Sequence, residues 1–222
     1  MKKDGINNRP FIGIKKMKIL NLYAGIGGNR KLWGDEHEIT AIEINPSIAK
    51  VYKELYPKDK VIVADAHKYL LEHFEEFDFI WSSPPCPSHS RVRKTTTHQN
   101  PPIYPDMKLY EEILLLKGYF KGNWVVENVI SWYEPLIKPY VYQEHYYWAN
   151  FIIDGKKNSF RCHDGGIDAL QKFKGFDLSN FKFEGISKEK VLRNAVEPKA
   201  GLNIFNMAFN DKQEGLDKYR EE

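Results

Sequence analysis

A cysteine set at a forced strand end is the residue of this sequence that most suggests chemistry. In Phe77–Arg91, FDFIWSSPPCPSHSR, the apolar run Phe77–Trp81 leads into Pro84-Pro85-Cys86. Adjacent prolines lack backbone donors and fix φ, so neither a helix nor a ladder continues through them. Cys86 is left at the carboxyl end of a strand, the edge where open α/β sheets bind ligands. Arg91, Arg93 and Lys94 follow closely. A thiol beside these cations suits a nucleophile acting on an anionic substrate. A lone Pro-Pro-Cys also suits a buried structural cysteine beside a proline turn.

Other clusters share that placement. Met17–Tyr23 reads as a strand running into Ala24-Gly25-Ile26-Gly27-Gly28, then a helical Asn29–Trp33. Glycines let a backbone approach its ligand closely, and the N–H groups opening the next turn suit a nucleotide. A dinucleotide fingerprint needs a third glycine where Arg30 stands, which weakens an NAD reading. His37–Glu43 is a second strand whose last residue, Glu43, suits ribose hydroxyls. Val61–Ala64 is a third; Asp65 after it either caps a helix or accepts from an adenine amino group. Asn123–Val126 is a fifth strand, ending in Glu127-Asn128-Val129.

The elements that must hold these residues alternate. Asn45-Pro46 caps and opens a helix with Ile48, Val51, Tyr52, Leu55 and Tyr56 on its inner face. A second helix carries Tyr69, Leu70 and Phe74. Pro87–Pro105 is a long loop with no apolar period, of the kind that is functional in a compact domain. A third helix is predicted from Pro105, with Met107, Tyr110, Ile113, Leu114 and Lys117 as its inner stripe. Alternating strands and helices imply a parallel sheet, which puts Glu43, Asp65, Cys86 and Glu127 along one edge. Pro139–Val141 and His145–Ile153 read as further strands. His163–Lys190 has no strong period, and Val191–Phe209 closes the fold with a helix.

The 222 residues fit one domain, with ordinary globular values of 42% hydrophobic and 28% charged residues. A net charge of +3 is too small to identify a nucleic-acid binder by itself. Cys86 and Cys162 form neither a disulfide framework nor a zinc pattern, so a reducing, intracellular setting is expected. No apolar run has the length of a membrane span. MKKDGINNRPFIGIKK lacks the apolar core of a signal peptide and reads as a polar arm.

Taken together, these stretches resemble the DNA cytosine-5 methyltransferase family over almost all of Met17–Phe209. Asn21-Leu22-Tyr23-Ala24-Gly25-Ile26-Gly27-Gly28 is similar to the family's S-adenosylmethionine (AdoMet) loop, DLFAGIGG. Pro84-Pro85-Cys86 resembles its catalytic proline-cysteine motif, and Glu127-Asn128-Val129 its ENV motif. Tyr146–Phe151 resembles the strand after its paired arginines. Arg193-Asn194-Ala195-Val196-Glu197-Pro198 with Gly201 resembles the closing motif.

The resemblance implies a Rossmann-like α/β fold, mostly parallel, with helices on both faces and a minimal target-recognition segment. It implies boundaries of 1–16 (polar arm), 17–162 (AdoMet-binding catalytic domain), 163–190 (target recognition), 191–209 (closing helix) and 210–222 (charged tail). It implies a catalytic group of Cys86, Glu127, Pro85, Asn128 and His145. AdoMet, with S-adenosylhomocysteine (AdoHcy) as product, would be held by Tyr23, Ala24, Gly25, Gly27, Gly28, Glu43, Ile44, Asp65, Ala66, Pro84, Asn194 and Val196, with no metal. Double-stranded DNA would meet Ser88, Arg91, Arg93, Lys94, Lys172 and Lys174. The resemblance further implies a cytoplasmic monomer of bacterial, archaeal or phage origin, with RNA cytosine as the alternative substrate and a non-catalytic DNA-binding subunit as the alternative class. The departures are specific. Asn21 stands for Asp, Tyr23 for Phe and Pro87 for Gln, and Gln143-Glu144-His145 stands for Arg-x-Arg. The recognition segment is short, so a relaxed target of about two to four base pairs is expected unless a recognition subunit is supplied.

Overall fold

The computed structural model describes residues 16–91, 103–155 and 166–209. Strands β1 (Lys18–Leu22), β2 (Glu38–Glu43), β3 (Lys60–Val63), β4 (Phe79–Ser82), β5 (Asn123–Val129), β6 (Tyr140–Tyr142) and β7 (His145–Ala149) form one sheet in the order β3-β2-β1-β4-β5-β7-β6. The first five are parallel; β7 runs antiparallel to β5 and to β6. This is the expected mostly parallel α/β fold. The strand order reverses between β1 and β4, and the carboxyl edge at such a reversal is the usual ligand crevice.

Helices cover both faces. Helix α1 (Pro46–Leu55) starts where Asn45 Oδ1 accepts from the Ser47 and Ile48 amides, with Pro46 in the first turn. It packs Tyr52 against Ala24 and Ala41. On the same face α6 (Pro198–Ala208) lays Ile204 and Phe205 against Trp33, Phe79 and Trp81. The opposite face is covered by α2 (Ala66–His73) and α3 (Lys108–Tyr119), whose Leu70, Ile113 and Leu116 meet Leu20, Ile80 and Val126. Helices α4 (Gly166–Lys174) and α5 (Lys188–Asn194) pack on each other beside α1.

Three element readings need correction, the first being that β7 ends at Ala149, not Ile153. Helix α3 begins at Lys108, not Pro105, and its inward residues are Leu109, Tyr110, Glu112, Ile113 and Leu116. Leu114 is exposed, as are Met107 and Lys117. A continuous apolar run, Ile113–Leu116, leaves the helical phase ambiguous, and a carboxylate on the inner face misleads any apolar count. Strand β5 runs on through Glu127 to Val129, because β7 pairs with it beyond the last β4 partner, Ser82. Glu127 thus lies within a strand, one position past the end of its β4 neighbour.

Candidate active site

At the β1 side of the crevice the backbone is packed too closely for side chains. Gly27 has φ +73°, and a Cβ there would fall 2.5 Å from the Tyr56 ring, whose hydroxyl donates to the Gly27 carbonyl (2.9 Å). A Cβ on Gly28 would lie 2.2 Å from the Val196 carbonyl oxygen. Gly201, on α6, meets Asn29 in the same way. The stretch Val196–Gly201 therefore closes directly over the glycine loop. Gly25 is different: φ is +55° and nothing lies within 4 Å of its missing Cβ, so its backbone faces open space.

Glu43 ends β2 and is buried. Its Oε2 accepts from Gly25 N (3.0 Å) and its Oε1 from Asn45 N (2.8 Å). Burial raises its pKa, and the amides of Asn45, Gly25 and Ile44 act the other way. Glu43 is a clamp between the glycine loop and the start of α1. Ile44 beside it is 67% exposed, an apolar surface with no protein cover. Asp65 caps α2 by accepting from Lys68 N (3.0 Å), and Ala66 is buried behind it. Asn194 ends α5, and Ala24 packs against Ala41 and Tyr52.

Opposite them, Asn128 fixes the nucleophile loop. Its Nδ2 donates to the Pro84 carbonyl (3.0 Å) in a buried bond. Pro84 is buried, Pro85 exposed and Cys86 half-buried. The Cys86 carbonyl accepts from the His89 and Ser90 amides, both at 3.0 Å, so the chain turns tightly after it. Burial pushes the thiol pKa up and the charge of Glu127 adds to the rise; Lys190, in the first turn of α5, opposes it. Burial thus favours the neutral thiol, and Glu127 and Lys190 are the charges that act on it from opposite sides of the balance.

His145 opens β7 after a two-residue turn, Gln143-Glu144, both left-handed at φ 51° and 74°. Such turns match the twist of a hairpin but favour Asn-Gly. The register sets His145 opposite Val129 and diagonal to Glu127, with Nε2 3.7 Å from Glu127 Oε1. Cys86, Glu127, Asn128 and His145 lie along one sheet edge, on which Gly25 and Glu43 also lie.

Other site expectations are revised. Ser88 is buried; its Oγ accepts from Asp106 N (3.1 Å) and its carbonyl from Trp132 Nε1 (3.0 Å). It ties the loop to β5's exit and is not offered to a nucleic acid. Lys174 is also turned inward, its ammonium donating to the Ala195 carbonyl, the last turn of α5 outweighing solvent for that charge. Phe176 is buried with Leu178 against Ile26, Val51 and Val191, under the Lys31 ammonium 4.1 Å from its ring. It packs the fold. Lys172 and Arg91 are exposed. Arg93 and Lys94 lie outside the described residues.

Sequence reasoning missed Lys190, His89 and Glu112. His89 is buried, with Nδ1 2.6 Å from the Tyr133 hydroxyl, and Trp132 N donates to its carbonyl (3.0 Å). The clue was the pattern Ser88-His89-Ser90 ahead of Ser131-Trp132-Tyr133, which an isolated bridge joins. Among the described residues no group of His, Cys, Asp and Glu could hold a metal ion, and no helix is long and apolar enough to cross a membrane.

Comparison with known proteins agrees with the motifs. Residues 17–109 match the family model described as C-5 cytosine-specific DNA methylase. The mouse (Mus musculus) tRNA (cytosine(38)-C(5))-methyltransferase is 29% identical over 85 residues, covering 36% of this chain and 20% of the relative. The human (Homo sapiens) protein of the same name is 28% identical over 85 residues, covering 36% and 22%. The chain thus spans about a fifth of the length of these curated relatives. A solved Entamoeba histolytica methyltransferase shares the fold, with a TM-score of 0.52 over 90% of this chain and 100% of that one, at 14% identity. The cytosine-5 methylase resemblance therefore stands over the amino-terminal half of the fold.

Proposed function

We propose that this protein transfers a methyl group from AdoMet to C5 of a cytosine in a polynucleotide, with Cys86 as the nucleophile. The observation that carries this reading is the meeting of Cys86 and Glu127 at the β1/β4 reversal, beside an open Gly25 backbone and a Glu43 clamp. The residues fit AdoMet: the space over Gly25 admits a ligand backbone, Glu43 and Asp65 offer lone pairs to ribose and adenine, and Ile44 offers an apolar face. When bound, AdoMet supplies an electrophilic methyl group.

The chain's residues do the rest. Cytosine C5 is a weak nucleophile until a thiolate adds to C6 and makes it enamine-like. The Cys86 thiol must first lose its proton, and this reading assigns that proton to Glu127, on the neighbouring strand. A protonated Glu127 then donates to cytosine N3 as the Cys86 sulfur bonds to C6, so the proton removed from sulfur is the one that neutralises the ring. After methylation a base takes the C5 proton and the C6–sulfur bond breaks. His145, 3.7 Å from Glu127, would donate to the base or hold Glu127. Lys190, Arg91 and Lys172 would meet phosphates. The cytosine must leave its stack to reach this edge, at a cost of about a few kcal/mol.

Two substrates fit. The family model's description favours DNA; the names of the curated relatives favour a tRNA cytosine. The test is incubation with labelled AdoMet and either mixed-sequence duplex DNA or folded tRNA, followed by nucleoside mass analysis. The reading requires label in 5-methylcytosine from one of the two. Label in neither, from a protein that binds AdoMet, would contradict it. On DNA, bisulfite sequencing should give a short target, about two to four base pairs.

A further inference from the structure

Below the β1/β4 reversal sits a buried carboxylate that the chemistry above does not use. Glu112, on the inner face of α3, has no solvent exposure. Its Oε1 accepts from the Tyr23 hydroxyl (2.6 Å) and lies 3.1 Å from His67 Nδ1; its Oε2 accepts from the Ser82 hydroxyl (2.6 Å). Tyr23 is the first residue after β1 and opens the glycine loop. Ser82 is the last residue of β4 and precedes the Pro84-Pro85-Cys86 loop. His67 follows Asp65 in the first turn of α2. One side chain thus holds the roots of three loops that line the crevice.

We propose that Glu112 is a positioning residue for methyl transfer: it locks the cofactor loop to the root of the nucleophile loop. The inference rests on the AdoMet reading given above. Two local costs converge on this point. A buried carboxylate must be fully hydrogen-bonded to be tolerated, and here hydroxyls and an imidazole from three elements do it. Tyr23 also takes a left-handed conformation, φ 54°, next to Gly25 at φ 55°. A non-glycine residue holds such a φ only when its surroundings fix it. The Tyr23–Glu112 bond is one such fixing contact, beside the packing of Tyr23 on the cluster that holds Leu20, Leu22 and Ile80.

His67 makes the lock sensitive to pH. Its Nε2 is 3.2 Å from Glu111 Oε2 while Nδ1 faces Glu112, so only the imidazolium donates to both. The Glu112 hydrogen bond raises its pKa above the ordinary 6.5. The other charges facing it are Lys108 on α3 and Asp65 at the cap of its own helix. The imidazolium's contribution is complete below the unfolded value. It is lost as pH rises through the raised folded value.

The test is calorimetric titration of the full-length protein with AdoHcy, alongside nucleic-acid binding, melting temperature and turnover. Glu112→Gln keeps the shape but replaces one acceptor oxygen with a donor. It should weaken AdoHcy binding about tenfold while nucleic-acid affinity moves little. Tyr23→Phe and Ser82→Ala each remove one hydroxyl and should weaken it by smaller factors; they keep the test alive if Glu112→Gln does not fold. AdoHcy affinity of the wild type should fall as pH rises through the His67 titration, and His67→Gln should flatten that fall. A merely structural role would lower the melting temperature and both affinities together, with no separate pH signature, and would overturn the proposal. So would AdoHcy affinity unchanged in all the variants. A wild type that binds no AdoHcy at any pH would instead remove the reading on which the proposal rests.

Discussion

On the β1 side of the crevice the positions are held through the loop's own backbone: Gly28 lies under the Val196 carbonyl, Gly27 under two tyrosine rings, and the Glu43 carboxylate grips amides of Gly25 and Asn45. On the β5–β7 side they are held by side chains in an antiparallel register: Glu127 across from Tyr147, His145 diagonal to Glu127, Asn128 on the Pro84 carbonyl. A backbone contact allows no substitution, so the first wall keeps the glycines of its family resemblance. A side-chain contact can be met by another residue that reaches the same point, so the second wall carries His145 where the resemblance has an arginine. The cofactor half of the reading therefore stands on steric necessity, and the substrate half on which side chains the register brings together.

The sharpest way to break this contrast is to strike each wall once. Glu127→Gln removes the group assigned to proton transfer and should lower kcat by about 10²–10⁴-fold, with AdoHcy affinity and melting temperature nearly unchanged. Equal losses in turnover and binding would make Glu127 a packing residue. Gly28→Ala should do the opposite. Its methyl group would press on the Val196 carbonyl, a backbone atom that cannot swing aside. We expect a stability loss of about 1–3 kcal/mol by denaturant titration, with weakened AdoHcy binding. Full stability and binding in Gly28→Ala would show that Val196–Gly201 does not close the loop.

Legibility in the sequence follows the same division. The proline pair before Cys86 and the glycines after Tyr23 announce themselves, because covalent geometry restricts what those residues do wherever they stand. Glu43 and Asp65 were legible as strand-end carboxylates, although Glu43's clamp on the Gly25 amide was not. What failed to show was decided by partners distant in the chain. Strand β5 continues through Glu127 only because β7 extends the ladder. The inner face of α3 was misread because Glu112 is buried against Tyr23, Ser82 and His67. Lys174 reads as a surface residue for a nucleic acid, yet the Ala195 carbonyl draws it inward. No local pattern reports such contacts.

A smaller effect sharpens the comparison at the hairpin. Gln143 and Glu144 both sit at positive φ where Asn and Gly are preferred. Replacing them by Asn-Gly should stabilise the protein by about 1 kcal/mol in thermal or urea unfolding, with His145 and turnover unaffected. A loss of turnover with a gain in stability would mean that the strained turn itself sets the catalytic geometry.

The central claim is that Cys86 bonds to cytosine C6 during transfer. Substrate carrying 5-fluorocytosine tests it, since fluorine at C5 blocks the proton loss that releases the enzyme. Intact-mass analysis after incubation with AdoMet and either fluorinated duplex or fluorinated tRNA should show protein plus polynucleotide plus one methyl group, with the bond mapped to Cys86 and absent in Cys86→Ser. Methylation of ordinary substrate by Cys86→Ser, or an adduct mapped to Cys162, would contradict the account.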